Sequence, residues 1–392
     1  MSAVFLKIEE PKAKAKAGKG WALWTLGFRP FYLLAALQAA LMVPLWALEF
    51  SGLLPTPALG SSVRHAHEMV FGYSLAVIVG FLFTAGRNWS GQSTPTGKPL
   101  MALAALWLLA RLLMLTPWAW ASLAANVALP WCAAWGLWRA LRAGNSRRNY
   151  FFVGLLVALG IASGVVHLGQ IGWLNLPAGF GLPLGLDIVL FMIAVMAGRV
   201  VPMFSNNGVP GLKARRDEPT EKAALASVLL LLALDALGLG GWPVALAAGL
   251  ALIAHGRRWW LWQPWRTLRQ PLVWVLHVAY LWLLTHLALR GAAALGSLPA
   301  NAATHALTVG TIGMMTLGMI TRTALGHTGR PLRVGAIETC AYLALLLAAL
   351  VRVLLPLLWP ASLLPSVQAA ALLWSLAFWL YLWRYAPMLM RR

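Results

Sequence analysis

The sequence predicts an all-α protein: a polytopic integral membrane helix bundle with about 12 transmembrane helices and cytoplasmic N and C termini. Of its 392 residues, 60% are hydrophobic and only 10% are charged, whereas soluble domains carry about 25% charged residues. The apolar residues form runs that suit a hydrocarbon core, which takes roughly 20 residues to cross. The Lys and Arg residues between these runs fall almost entirely on one side, as expected of cytoplasmic loops.

Twelve apolar runs give the predicted spans. The third, seventh and eighth runs are short for a complete crossing. In chain order the runs are Pro30–Leu48, His67–Ala85, Leu100–Leu115, Trp118–Trp138, Phe151–Trp173, Phe180–Val201, Ala223–Leu239, Trp242–His255, Leu272–Leu289, Ala302–Ile320, Gly335–Leu355 and Leu363–Met388.

The positions of the 31 Lys and Arg residues fix the predicted topology. Among the loops on the non-cytoplasmic side, only Arg64 and Arg290 are basic, so both termini are predicted to be cytoplasmic and the number of spans even. Residues 1–26 are predicted to form a basic cytoplasmic tail, and residues 27–392 a single 12-helix transmembrane domain. The net charge of +21 is spread over many short loops, which favours a topological role and argues against nucleic-acid binding.

Ionisable residues inside spans are energetically unfavourable and mark functional sites by default. Two of the runs open on histidine motifs: Arg64–Glu68 (RHAHE) precedes the second, and His305–Gly310 (HALTVG) lies in the tenth. At ~1.5 Å of helix rise per residue, most intramembrane ionisable residues share one outer layer. That layer comprises His65, His67, Glu68, His167, Asp187 and His305, with Arg111 and Arg352.

Two chemistries suit this layer. Imidazoles from two facing helices can ligate haem iron, with arginines neutralising the propionates. Alternatively, histidine with carboxylate can bind copper or zinc. His65 and His67 are two residues apart, so on a regular helix they point about 200° apart and cannot both face one iron. The face of His67 is apolar and aromatic, which makes it the more haem-like of the two.

Glycines recur in the tenth run, at Gly310, Gly313 and Gly318. Small residues in membrane helices allow the close approach of another helix or of a flat cofactor. His255 and His286, in other runs, are predicted to be structural.

The predicted cytoplasmic side carries a second group of candidates. Arg322 ends the tenth run, and His327 lies in the following turn, Gly326–Pro331 (GHTGRP). This turn is interpreted as an anion or haem-propionate site, or as part of a metal site with His277. A basic residue at this end of a helix is also what the helix dipole favours. No CxxCH motif is present, which excludes covalent c-type haem attachment.

Five blocks of the sequence resemble the NnrS family of bacterial membrane proteins, from about residue 27 to the last helix. They are Gly27–Phe31 (GFRPF), HAHEMVFGYSLAVIVGFLFTA from His65, RVVPMF from Arg199, PLVWVLHVAYLWL from Pro271, and HALTVGTIGMMTLGMITRTALGHTGRP from His305. The resemblance implies a haem- and copper-containing, multi-pass protein of the bacterial cytoplasmic membrane. It also implies an association with nitric oxide, denitrification and nitrosative stress.

The predicted plan also resembles the haem-copper oxidase catalytic subunit, in which low-spin haem is held between the second and tenth helices. Here the sixth and seventh runs lack the copper-binding histidines of that family, so typical oxidase chemistry is not expected. The sequence leaves open whether the protein is an enzyme acting on nitric oxide.

The first hypothesis is a b-type, non-covalent haem with axial ligands His67 or His65 and His305, in a protein surrounded by membrane lipid. A copper ion nearby, held by His65 with Glu68, His167 or Asp187, would react with nitric oxide or another small redox substrate. The alternative is a transporter or channel for a metal or anion that uses the same layer. An assembly partner of a respiratory complex is a third class.

Overall fold

The protein folds as a bundle of helices. The computed structural model describes residues 21–55, 61–177 and 179–391, and each predicted apolar run there coincides with one helix. The helices are α1 Phe28–Phe50, α2 Ser62–Ser90, α3 Lys98–Leu113, α4 Ala119–Ala143, α5 Phe151–Ile171, α6 Gly181–Gly208, α7 Glu218–Ala236, α8 Trp242–Leu261, α9 Pro271–Ala294, α10 Ala300–His327, α11 Ala336–Leu358 and α12 Leu363–Met390. The predicted all-helical membrane bundle is confirmed.

Eight of these helices are long and apolar enough to cross a membrane: α1, α2, α5, α6, α9, α10, α11 and α12. The shortest of the others, α3, has 16 residues and is therefore about 24 Å long, against a hydrocarbon core of about 30 Å. The twelvefold crossing and the cytoplasmic termini therefore remain predictions.

Helices adjacent in sequence pack against one another around the bundle, and α12 closes it by packing on α1 as well as on α11. The GFRPF block stabilises this closure. Arg29 donates from Nη1 to the carbonyl oxygens of Leu389 at 2.8 Å and Arg391 at 3.1 Å. These carbonyls lack partners within their own helix, as at every helix end, so Arg29 caps α12 and joins the two ends of the described chain.

Two helices contain π-helical segments, Glu68–Ser74 in α2 and Ala306–Gly313 in α10. Each begins directly after a histidine, His67 or His305. The hydroxyl of Ser74 donates to the carbonyl of Met69, five residues earlier, at 2.9 Å, which matches the wider π turn. π-Helical turns are rare overall, and those that occur are frequently at functional sites. Their position directly after both histidine motifs supports the choice of these two helix ends as candidate sites.

The glycines of α10 make room for neighbouring side chains. A Cβ added to Gly310 would collide with the indole of Trp282, and one added to Gly313 would lie 2.5 Å from the indole of Trp374. Gly318 likewise faces Val275. Of the two interpretations that the sequence left open, the close approach of neighbouring helices is therefore the one found at these three positions.

Candidate functional site

At one end of the bundle, the buried carboxylate of Glu68 is held by hydrogen-bond donors from other helices. Glu68 accepts a hydrogen bond from Nη1 of Arg111 at 2.7 Å and another from the amide of Gln38 at 2.5 Å. Arg111 also donates to the side-chain oxygen of Asn126, and all four residues are buried. Because buried charges require such pairing, Arg111 is the counter-charge of Glu68. Its predicted role in neutralising a haem propionate is not supported by this geometry.

Next to Glu68, His67 and His167 form a histidine pair. Their ring centroids lie 4.9 Å apart and the ring planes are 78° apart. Nε2 of His67 lies 3.3 Å from the hydroxyl of Ser163, whereas its Nδ1 is 3.5 Å from Glu68 Oε1, too far for a good hydrogen bond. The pair thus combines an α2 residue with an α5 residue, both almost completely buried.

Three buried polar atoms near this pair have no hydrogen-bond partner among the described residues: Nδ1 of His67, Nε2 of His167 and Oε1 of Gln170. Gln170 follows His167 by three residues in α5, so both side chains lie on one helix face. Buried polar atoms are almost always hydrogen-bonded, and exceptions indicate an ion, a water or a ligand. The histidine pair therefore has the chemistry of an ion site with imidazole ligands.

A second group, the mouth cluster, is formed by Trp46, His65, His305 and Arg352. The His65 ring stacks on Trp46 with centroids 4.1 Å apart, and it lies within electrostatic range of His305 and Arg352. Arg352 is buried and has no hydrogen-bond or ion-pair partner in the part of the chain that the structure describes. The cluster therefore contains two imidazoles and a cation without a protein counter-charge.

His305 is oriented by its own helix. Its Nδ1 donates to the carbonyl oxygen of Asn301 at 2.7 Å, which leaves Nε2 as the nitrogen with a free lone pair. Metal-ligating histidines almost always donate their other ring N–H to a carbonyl or carboxylate. His305 thus has the hydrogen bond that such a ligand requires.

A comparison with protein families identifies the family of this chain. The family model described as NnrS protein matches residues 22–392, nearly the whole chain. The chain belongs to the NnrS family. No curated protein matches it. The match includes both histidine motifs and the GFRPF block, whose Arg29 caps α12.

In this NnrS chain the two histidines of the RHAHE motif serve different groups, as their spacing predicts. His65 contributes to the mouth cluster beside His305, whereas His67 faces His167. The sequence favoured His67 as the more haem-like partner for His305. In the structure His65 lies within electrostatic range of His305, whereas His67 contacts His167. The motif's Arg64 forms a buried ion pair with Glu49.

Asp187 lies outside both histidine groups. Its carboxylate accepts from Nη1 of Arg290 at 2.6 Å and from Nη2 at 3.3 Å, and Nη2 also pairs with Asp235 at 2.8 Å. The predicted loop position of Arg290 is wrong, because this residue lies within α9 and only 13% of its side chain is exposed. Asp187 is therefore committed to an ion-pair triad of α6, α7 and α9.

The candidates at the other end of the NnrS bundle do not form one site. His277 bonds through Nε2 to the hydroxyl of Ser205 at 2.8 Å, while His327 packs on Phe28 with ring centroids 5.5 Å apart. The guanidinium of Arg322 lies 3.8 Å from the ring centroid of Phe204. The proposed metal pairing of His277 with His327 therefore has no support in the contacts of these residues.

The outer layer predicted from sequence is thus divided into the histidine pair, the mouth cluster and the Asp187 triad. Within the described ranges, no three His, Cys, Asp or Glu side chains are grouped so as to hold a metal ion. Sequence reasoning missed Gln38, Asn126 and Ser163, the polar neighbours of Glu68 and His67. Their only signal was a polar side chain inside an apolar run.

Proposed function

We propose that this protein is a haem-binding, multi-pass protein of the bacterial cytoplasmic membrane with both termini in the cytoplasm. It serves nitric oxide and nitrosative stress tolerance, linked to denitrification, through redox chemistry or nitric oxide binding. Support comes from membership of the NnrS family, from the apolar helices and above all from the mouth cluster. Its oriented His305 beside His65 and Arg352 is the observation that carries the proposal.

The residues of the mouth cluster suit a b-type haem. His305 and His65 would hold the haem iron, and the hydrogen bond from His305 Nδ1 to the Asn301 carbonyl fixes the His305 ring as a histidine ligand requires. Arg352, buried without a counter-charge among the described residues, suits a propionate. Trp46 stacks on one face of the His65 ring and leaves the ring nitrogens at its edge. Two imidazoles on one iron leave no open coordination position, which favours electron transfer over gas binding.

The histidine pair suits a second metal ion, and copper is the one proposed. Imidazole is a good ligand for copper, and the partnerless Nδ1 of His67 and Nε2 of His167 supply two such nitrogens. Glu68 is already bound by Arg111 and Gln38, so it is not proposed as a copper ligand. When bound, copper would supply a redox-active centre open to a small ligand.

Optical spectra and metal analysis of purified protein test both assignments. We expect His305→Ala and His65→Ala to lose the Soret band, and His67→Ala and His167→Ala to keep it while losing copper. His286→Ala is the matched control, because His286 also donates from Nδ1 to a carbonyl, that of Ala303 at 2.8 Å, but lies outside both groups. A wild-type protein without a Soret band, or an unchanged band in His305→Ala, overturns the haem proposal.

The transport alternative has one observation in its favour, the number of ionisable side chains inside the bundle. However, Glu49, Glu68, Asp187 and Asp235 are each paired with an arginine. Such pairing leaves no free carboxylate in this set for a transported cation. Flux of a metal or anion into liposomes containing haem-free protein would support transport, and its absence would remove that function.

A further inference from the structure

A cavity of about 90 Å³ lies between α2, α6 and α10. Four methionines line it in pairs four residues apart, Met192 and Met196 on α6 and Met315 and Met319 on α10. Residues four apart lie on one helix face, so the two methionine faces border the same space. Unbranched methionine side chains are flexible and adapt to the shape of what they contact.

The walls of this cavity offer few hydrogen-bond partners to a water molecule, the buried hydroxyl of Tyr32 being one. The hydroxyl of Ser74 donates to the carbonyl of Met69 at 2.9 Å, and that of Thr316 donates to the carbonyl of Ile312 at 2.6 Å. The remaining lining is almost entirely apolar. A buried water needs two to four polar partners, and apolar cavities of comparable size stay dry yet bind xenon or small hydrocarbons. The cavity therefore suits an uncharged, apolar occupant.

The mouth of the cavity is formed by apolar side chains on the outer surface of the bundle. The lining residues Ile78, Phe81, Ile193 and Met196 are only partly buried and all apolar. They belong to α2 and α6, which are both long and apolar enough to span a membrane. A molecule that dissolves in the bilayer can therefore reach the cavity without crossing water.

We propose that this cavity binds a small, uncharged, apolar molecule, of the size of a dissolved diatomic gas or a xenon atom, that enters from the bilayer. Its inner wall begins at Ser74 and Ile312, each seven residues after a motif histidine, His67 or His305. Occupancy is independent of any haem. That the bound molecule is then the substrate of the histidine groups rests on the proposed function.

Xenon is the probe, and methionine methyl groups report on it. In full-length, haem-free protein with ¹³C-methyl methionine in nanodiscs, we expect saturable shifts with xenon pressure at Met192, Met196, Met315 and Met319, with the other methionines as internal controls. Ala197, a small buried residue of the lining, is replaced in Ala197→Leu to fill the space and abolish the shifts. Ala121→Leu, at an exposed position of α4, should retain them.

Two results would overturn the proposal. One is the lack of a saturable shift at the four methyl groups in wild-type protein. The other is a set of contacts between these methyl groups and lipid acyl chains that xenon does not displace, which would assign the cavity to lipid. Because the wild-type measurement needs neither haem nor copper, a negative result here is distinct from failure of the haem assignment.

Discussion

His67 and His167 face each other in the bundle with ring centroids 4.9 Å apart, and each retains a buried ring nitrogen without a partner among the described residues. The pairing depends on α2 and α5 meeting at the depth of both rings. The carboxylate of Glu68 lies beside His67 and is neutralised by Arg111. The histidine pair thus lies next to a buried ion pair. Removing one of its two charges should lower the stability of the protein.

Replacing Arg111 with Ala should destabilise the protein by about 3–5 kcal/mol, because it leaves the Glu68 carboxylate buried without a counter-charge. Thermal unfolding in detergent provides the measurement. The control is Lys222→Ala, which breaks the exposed i,i+4 pair with Glu218, a type of pair that contributes little to stability. Equal losses in the two variants would mean that Glu68 finds solvent or another cation.

The sequence was sufficient for the helices. Apolar length acts locally along the chain, so each of the twelve runs matched a helix. The predicted common depth of His65 and His305 does not specify their neighbours. The contacts of His67 with His167, and of Asp187 with Arg290, depend on the packing order of non-adjacent helices, which periodicity does not encode.

The π segments were also beyond sequence reasoning. Glu68–Ser74 and Ala306–Gly313 contain ordinary helix-compatible residues, so nothing in their composition predicts a wider turn. The hydroxyls of Tyr73 and Thr316 form a hydrogen bond that joins α2 to α10 close to both segments.

Gly198→Ala should destabilise the bundle, because the new methyl group would collide with the guanidinium of Arg258. That guanidinium donates to both carboxylate oxygens of Glu221, at 2.9 and 2.6 Å. Hydrogen bonds to charged groups contribute about 1.5–3 kcal/mol each, so we expect a loss of that order in thermal unfolding.

Gly154→Ala is the matched control for this substitution. It lies in α5 with nothing within 4 Å of an added Cβ, so the change should leave stability unchanged or raise it by about 0.5–1 kcal/mol. A Gly198→Ala variant as stable as Gly154→Ala would show that Arg258 can move aside without loss.

Arg29→Ala should loosen the end of α12, since it removes the donor to the carbonyls of Leu389 and Arg391. We expect faster amide hydrogen exchange in the C-terminal peptide, with a stability loss of about 1–3 kcal/mol. Arg384→Ala, an exposed basic residue of the same helix, should leave that exchange largely unchanged. Unaltered exchange in Arg29→Ala would show that the cap does not hold the helix end.

Tyr385→Phe should be more destabilising than Tyr381→Phe, although the two rings stack with centroids 4.7 Å apart. Tyr385 donates to Oε1 of Glu338 at 2.9 Å, a bond to a carboxylate that contributes about 1.5–3 kcal/mol. The buried hydroxyl of Tyr381 has no partner among the described residues, so its removal relieves an unsatisfied group and should be neutral or stabilising.

Thermal unfolding of the two tyrosine variants in the same detergent measures this difference. Phenylalanine preserves the ring stack in both, so only the hydroxyl changes. Equal losses would instead indicate a bound water on Tyr381, for which the adjoining space lined by Thr321, Glu338 and Tyr342 provides polar partners. In that case Tyr381→Phe would lose the bridging hydrogen bond, and the water would count among the buried polar contacts that join α10, α11 and α12.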